Sequence, residues 1–374
     1  MRQRHLCALA VIIASVLARP VAADIAIGFA NPLSGAYAAS GGRNRAAVAL
    51  AVEDLNARGG VLGQEVRLIE ADDACGLEQA VAAARALVDA GVRFVVGHRC
   101  SHSSLMAAGI YEAFGVLMIS PDSTHPRLTE EGRRNVFRLV GRDDRQGALA
   151  GDFLAQEYAH KNIAILHDGS VYGRGLAVQT RRRLHQLGVV EALYAVYTPG
   201  AQDYEGLVAR LRCHAIDVLY VGGYGPDAAS ILRGAREQGD DLQLVGGDGL
   251  RMDEFWTVAG KAGEGTIFSA RPAIRWYSDA AAVRTALRVR GGGPGTGGIG
   301  AYAAVEVWAQ AVERAGTADP ALVADELRRG RFHTVLGRVA FDEKGDLRGA
   351  GWEMQIWSDG DYGPLDRYLA ASIN

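Results

Sequence analysis

The sequence predicts an α/β protein with two lobes, each a mostly parallel sheet flanked by helices. Strand-like and helix-like segments alternate along most of the chain, as in parallel sheets whose strands are joined by right-handed helical crossovers. The 374 residues exceed what one hydrophobic core usually supports. Polar side chains follow several predicted strands, where open α/β sheets bind their ligands. We therefore expect two sheets that together hold a ligand.

The first series of segments forms the N-terminal lobe. Its strands are apolar and β-prone, and its helices carry apolar residues at helical spacing. The strands fall at 24–30, 65–70, 94–96, 116–119 and 136–140, and the helices at 43–56, 78–89 and 105–114.

A second series follows a polar segment at 141–144, which we interpret as a hinge. Its helices fall at 149–158, 174–187, 204–212 and 227–238, and its strands at 163–167, 193–197, 218–221 and 242–246. A second crossing is expected near 269–272, and a helix at 302–315 should return to the first lobe.

The predicted parts are a signal peptide at 1–23, an N-terminal lobe at 24–141 with 272–349, and a C-terminal lobe at 142–271 with 350–374. Such lobes can close around a ligand.

The first residues predict export to the periplasm. Arg2 and Arg4 precede an apolar run at 6–17, and small residues at 21–23 precede a cut at Asp24. The apolar run is shorter than the about 20 residues that a membrane span needs. Cleavage would remove three arginines and no acid, so the net charge would go from −3 to about −6, which argues against a nucleic-acid partner.

Three cysteines would remain in the exported chain. An oxidising compartment would allow Cys75 and Cys100 to form a disulfide, and Cys213 is interpreted as a buried thiol. His98 and His102 flank Cys100 and could suggest zinc. We favour a disulfide with surface or cleft histidines, because a bridged cysteine cannot be a thiolate ligand. No metal and no cofactor are expected.

Two further motifs have competing interpretations. The glycines at 293–298 fit a dinucleotide-binding pattern, but they follow a helical stretch and include a proline, so a loop is favoured. Asp72 and Asp73 could act as an acid/base pair, and a structural role at the strand end is favoured. Walker-type and nucleophile-elbow motifs are absent from the sequence, so an enzyme is not expected.

Polar residues at strand ends suggest an amino-acid site. The hydroxyls of Ser101, Ser123 and Thr124 could converge on one carboxylate, although simple helix capping would explain them equally well. In the other lobe Asp248 follows a predicted strand, as do Tyr172 and Tyr224. An acid opposite a hydroxyl cradle suits an ammonium opposite a carboxylate, which describes an α-amino acid.

Several stretches resemble the leucine/isoleucine/valine-binding proteins, the type I solute receptors of ABC transporters. The matching segments cover nearly all of the exported chain and fall at 56–60, 72–75, 111–112, 117–119, 171–173, 207–211, 222–224 and 341–347. The resemblance implies a two-lobed receptor with three hinge crossings that hands its ligand to an inner-membrane permease. By position it places Ser101 and Thr124 on the ligand carboxylate with Ser123 beside them, Asp248 on the ammonium, Tyr172 and Tyr224 near the ligand, and Cys75 with Cys100 in the family disulfide.

Four departures from the leucine-binding pattern point to a more polar ligand. Arg99 stands where an apolar residue precedes the second cysteine, and Asp122 replaces an alanine of the cradle. The region that supplies an aromatic wall is glycine-rich around 297–298, and Ser40 stands near the place of a tyrosine. A buried charge without a partner costs several kcal/mol or more, so Arg99 and Asp122 must pair, reach solvent or meet polar ligand groups.

We therefore predict a monomeric periplasmic receptor that captures a branched-chain amino acid or a more polar relative between its lobes. The alternative is a sensory subunit that binds a small amide or organic acid and presents it to a signalling partner.

Overall fold

The computed structural model describes residues 24–272, 280–290 and 298–372. The expected signal peptide at 1–23 and most of the glycine motif at 293–298 lie outside these residues. None of the described helices is both long and apolar enough to cross a membrane.

The first sheet contains five parallel strands in the order β2-β1-β3-β4-β5. Its strands are β1 (Ile25–Asn31), β2 (Val66–Asp72), β3 (Phe94–Gly97), β4 (Leu117–Ser120) and β5 (Val136–Arg138). Strands β3 and β4 are buried along their whole length, which explains why they read as continuous apolar runs.

The second sheet has seven strands in the order β14-β13-β10-β9-β8-β6-β7. The remaining strands are β6 (Ile163–His167), β7 (Leu193–Val196), β8 (Val218–Gly222), β9 (Gln243–Gly246), β10 (Ile267–Ala270), β11 (Phe332–Thr334), β12 (Gly337–Val339), β13 (Glu353–Ser358) and β14 (Asp361–Pro364). Strands β6 to β10 pair in parallel, and β13 and β14 extend one edge of the sheet with antiparallel pairing. Strands β11 and β12 form a separate antiparallel ribbon. The predicted α/β class with two mostly parallel sheets is confirmed.

Helices cover both sheets. They are α1 (Ala38–Ala57), α2 (Leu77–Asp89), α3 (Ser101–Ala113), α4 (Arg127–Glu130), α5 (Asp143–Tyr158), α6 (Val171–Gln186), α7 (Glu205–Cys213), α8 (Gly225–Glu237), α9 (Asp253–Ala259), α10 (Ala280–Val289), α11 (Ile299–Ala315), α12 (Pro320–Arg329) and α13 (Leu365–Ser372). Helix α11 packs on α1, and its Trp308 stacks on Phe94 of β3 at 5.0 Å between ring centroids. This late segment therefore lies against the first sheet.

The Cys213 thiol is exposed, so the expectation of a buried thiol was wrong. Cys213 is the last residue of α7, whose buried positions are Val208 and Leu211. Positions three or four apart share a helix face, and a residue two positions from Leu211 does not. The prediction relied on the apolar character of cysteine and did not consider on which face of α7 Cys213 lies.

Candidate functional site

A cleft lies between the two sheets, where most of its lining residues follow the carboxyl ends of parallel strands. The cavity volume is about 60 Å³. A single water needs about 10–15 Å³ by the same measure. The cleft therefore suits a small solute. It is lined by Ser40, Arg43, Asn44, Arg99, Ser101, Asp122, Thr124, Tyr172, Tyr224, Asp248, Gly249, Arg251, Met252, Asp253, Arg271, Gly298 and Tyr362.

Ser101 and Thr124 form a hydroxyl cradle at one wall of the cleft. Ser101 is the first residue of α3 and follows β3, while Thr124 follows β4, the neighbouring strand. Both residues are almost fully buried, and the backbone N–H of His125 donates to Ser101 Oγ at 3.4 Å. The first N–H groups of a helix lack partners within it and favour an anion. This wall can hold a carboxylate.

Ser123 does not line the cleft, although the sequence placed it beside the other two hydroxyls. Its hydroxyl donates to the Arg99 carbonyl at 3.0 Å, and its backbone N–H donates to Ser120 Oγ at 3.0 Å. Ser123 thus lies behind the cradle and ties the loop after β4 to the loop after β3.

A disulfide and a buried polar chain support the cradle from below. Cys75 and Cys100 are bonded with their Cα atoms 5.6 Å apart, which confirms the predicted pair. Asp73 Oδ2 lies 2.6 Å from His98 Nδ1, and His98 Nε2 lies 3.0 Å from the Tyr111 hydroxyl. All three side chains are fully buried. The expectation that His98 lies at the surface or in the cleft was wrong, because these two hydrogen bonds compensate for its burial.

The remaining groups near the disulfide also have structural contacts. Asp72 Oδ1 accepts hydrogen bonds from the backbone N–H groups of Leu33 and Ala74, both at 2.8 Å, and His102 contacts the Cys75 carbonyl. Within the described part of the chain, no three histidine, cysteine or acidic side chains are grouped so that they could hold a metal ion.

Asp248 lies at the opposite wall, in the 3-10 turn that follows β9. The Tyr172 hydroxyl donates to Asp248 Oδ1 at 2.9 Å, and Gln146 Nε2 donates to the same oxygen at 3.1 Å. Among the described residues, Asp248 forms no ion pair with a lysine, arginine or histidine. The Tyr224 ring lies 5.0 Å from the Tyr172 ring and 4.8 Å from Tyr37. The Asp248 carboxylate can therefore pair with the ammonium group of a ligand.

Asp143, at the start of α5, lies behind Asp248 and is fully buried. Burial raises the pKa of the Asp143 carboxyl well above its usual value, and the charge of Asp248 adds to the rise. Burial thus favours the protonated form of Asp143, and Asp248 is the carboxyl of this wall that lines the cleft.

Asp122 is at the centre of a polar wall. Its carboxylate lies 3.3 Å from Arg99 Nη1 and 3.1 Å from Arg271 Nη2, and Asn44 Nδ2 donates to it at 2.7 Å. Burial alone would raise the pKa of Asp122, but Arg99 and Arg271 outweigh burial and lower it. Arg99 and Asp122 thus pair with each other, as one sequence interpretation allowed, and both still line the cleft.

Several charged or polar lining residues were not predicted from the sequence. Arg43 and Asn44 belong to α1, Arg251 ends the 3-10 turn that starts at Asp248, and Arg271 directly follows β10. The strand-end rule that identified Asp248 would also have found Arg271 if β10 had been recognised.

Four side chains form what we call the α1–α9 bridge: Ser40, Arg43, Asp253 and Glu254. The backbone N–H of Ser40 donates to Glu254 Oε1 at 2.9 Å. Arg43 Nη2 lies 3.1 Å from Glu254 and Arg43 Nη1 lies 3.4 Å from Asp253. Because α1 packs on the first sheet and α9 on helix α8 beside the second, the bridge joins the two halves at the cleft.

Comparison with known proteins gives a consistent result. Residues 24–361 match the family described as "Periplasmic binding protein". A Pseudomonas aeruginosa protein named "Leucine-, isoleucine-, valine-, threonine-, and alanine-binding protein" is 38% identical over 350 residues, which is 93% of this chain and 94% of that protein. The "Leu/Ile/Val-binding protein homolog 2" of Brucella abortus is 38% identical over 347 residues, 92% of this chain and 94% of its own.

Solved structures share the fold. The leucine-binding protein LivK of Thermotoga maritima superposes with a TM-score of 0.84 at 28% identity, covering 91% of this chain and 97% of that one. LivJ of Streptococcus pneumoniae, solved with isoleucine, gives 0.82 at 25% identity and covers 91% of this chain and 99% of its own. The chain therefore belongs to the periplasmic binding proteins, a family that binds solutes outside the cytoplasm and does not catalyse reactions.

Proposed function

We propose that this protein captures an α-amino acid with a polar side chain and delivers it to an ABC permease in the inner membrane. The observation that carries the proposal is the opposition of the Ser101–Thr124 cradle and Asp248 in one cleft. The cradle and the start of α3 would hold the α-carboxylate. Asp248, which has hydrogen-bond donors but no cation among the described residues, would hold the ammonium.

The polar wall argues against leucine as the preferred ligand. A leucine side chain would place its methyl groups against the charged groups of Asp122, Arg99 and Arg271, which line the cleft. Buried charged groups left without hydrogen-bond partners cost free energy, whereas a polar side chain can hydrogen-bond to them. The name of the Pseudomonas relative includes threonine, whose side chain carries a hydroxyl, and this supports a polar side chain in the ligand.

Isothermal titration with the full set of amino acids tests the ligand. We expect a polar amino acid to bind more tightly than leucine, isoleucine and valine. If one of these three binds at least about tenfold more tightly, a difference of about 1.4 kcal/mol, than every polar amino acid or small acid, the polar-ligand proposal is wrong.

Delivery to a permease requires a separate test in cells. We expect a strain without this gene to lose uptake of the labelled ligand, and a plasmid copy to restore it. Normal uptake in the deletion strain would contradict the transport role.

We further propose that the protein acts as a monomer, which light scattering during size-exclusion chromatography checks with and without ligand.

A further inference from the structure

The described lining of the cleft contains four arginines and three acidic residues, and they are unevenly paired. Arg43 is engaged by Asp253 and Glu254 in the α1–α9 bridge. Of the other three lining arginines, Arg99 and Arg271 share the single carboxylate of Asp122, and Arg251 forms no hydrogen bond or ion pair with any residue of the described ranges. A guanidinium that lines a cleft without a hydrogen-bonded partner can bind an anionic group of a ligand.

Arg271 is incompletely paired as well. Its Nη2 donates to the Pro121 carbonyl at 3.3 Å and to Asp122 at 3.1 Å, but its buried Nη1 has no hydrogen-bond partner in the part of the chain that the structure describes. Burial, and next the positive charge of Arg251, lower the pKa of Arg271 to about 10. The two guanidinium groups therefore repel each other, although Asp122 and Asp248 partly offset this repulsion at Arg271.

The same region holds the start of a long helix. Gly300 lies in the first turn of α11, and a Cβ built on it would come within 3.0 Å of Arg271 Nη1. The N-terminal end of a helix carries partial positive charge, so α11 adds to the unbalanced potential that Arg251 and Arg271 create.

We infer that the preferred ligand carries a second anionic group on its side chain, bound by Arg251 and Arg271, and is thus a short dicarboxylic α-amino acid. The inference rests on the proposed function, which assigns the first carboxylate to Ser101 and Thr124 and the ammonium to Asp248. The small volume of the cleft favours side chains of the length of aspartate or glutamate.

Isothermal titration with matched pairs tests the inference. We expect aspartate or glutamate to bind at least about tenfold more tightly than its isosteric amide, asparagine or glutamine. Arg251→Gln should remove most of this preference while binding of the amide changes little, and Arg251→Lys should retain part of it. The control is Arg233→Gln, which removes an arginine that is half exposed and pairs with Glu237 on α8; it should leave the preference unchanged.

The failures of the two proposals are distinguishable. If an amide or leucine binds as tightly as the acids, or if Arg251→Gln keeps the acid preference, the second anionic site is refuted and the amino-acid function stands. Succinate and glutarate carry two carboxylates but no ammonium. If one of them binds best, or if no amino acid binds, the assignment of Asp248 and the inference both fail.

Discussion

At the scale of single residues, binding depends on which charges in the cleft already have partners. Asp248 receives two hydrogen bonds but forms no ion pair among the described residues, while Asp122 is shared by two arginines. Asp248 is therefore the carboxylate available to a ligand ammonium, and Asp122 is part of the wall.

Asp248→Ala should weaken amino-acid binding by about a hundredfold or more, because breaking a buried charge pair costs about 3–5 kcal/mol. Titration calorimetry gives the affinity, and circular dichroism checks the fold. Asp241→Ala is the control, since the Asp241 side chain is 99% exposed and should have no effect. An unchanged affinity in the Asp248 variant would refute the ammonium site.

Asp143 gives a prediction about pH. Its folded-state pKa is raised above the ordinary value of 3.8, so above that pH the unfolded chain releases a proton that the folded protein retains. Stability is therefore lost as pH rises from 3.8 toward the folded-state pKa. Asp143→Asn mimics the protonated form, so its stability relative to wild type should increase with pH. Urea unfolding at about pH 5 and about pH 8 measures this, and a pH-independent difference would contradict it.

The strand-end rule predicted much of the cleft at residue scale but not its charge balance. It identified Ser101, Thr124 and Asp248, all of which line the cleft, whereas Arg99 was found as a departure from the leucine-binding pattern. It could not show that Arg99 pairs with Asp122, because this depends on side-chain geometry across two loops. It also could not show that Arg251 has no partner within the described ranges, because that depends on which side chains lie beside it in the folded protein.

At the scale of elements, the start of α3 is the most constrained part of the cleft. The disulfide joins the loop after β2 to the residue before α3, and the Asp73–His98–Tyr111 chain lies beneath it. The sequence predicted α3 from residue 105 and α5 from residue 149, yet they begin at Ser101 and Asp143. Their first turns are polar, so apolar periodicity detects only the later turns of each helix.

Replacing Cys75 and Cys100 together by serine should lower the free energy of unfolding by about 2–4 kcal/mol. Denaturant titration measures the loss, and Cys213→Ser, which removes the exposed thiol, should have no effect.

Mass spectrometry of exported protein should show a chain that begins at or near Asp24 with one free thiol. Three free thiols would contradict the disulfide.

At the scale of the whole molecule, the α1–α9 bridge links the two halves. Its Glu254 does not line the cleft, unlike the other three residues of the bridge. The two sheets and their order follow from alternating segments that sequence patterns detect. The bridge could not be predicted from such patterns, because its partners are more than 200 residues apart and meet only in the folded protein.

Glu254→Gln should weaken ligand binding several-fold through faster dissociation, because the closed form loses a charged contact with Arg43 and Ser40. Stopped-flow fluorescence gives the dissociation rate, and small-angle X-ray scattering should show a larger radius of gyration for the variant with ligand. Glu237→Gln, at an exposed position of α8, is the control. Unchanged dissociation in the Glu254 variant would show that the bridge does not hold the closed form.

The disulfide beneath the cradle has a consequence for the order of events in ligand capture. Ser101 and the start of α3 are held by a covalent bond and a buried hydrogen-bonded chain that lie within the first lobe, so this half of the site does not depend on the second lobe for its support. Under the proposed function, a solute would dock first by its carboxylate on this surface, and Asp248 would reach its ammonium when the second half closes. Encounter would then be governed by the disulfide-bonded half, and retention by the closing movement.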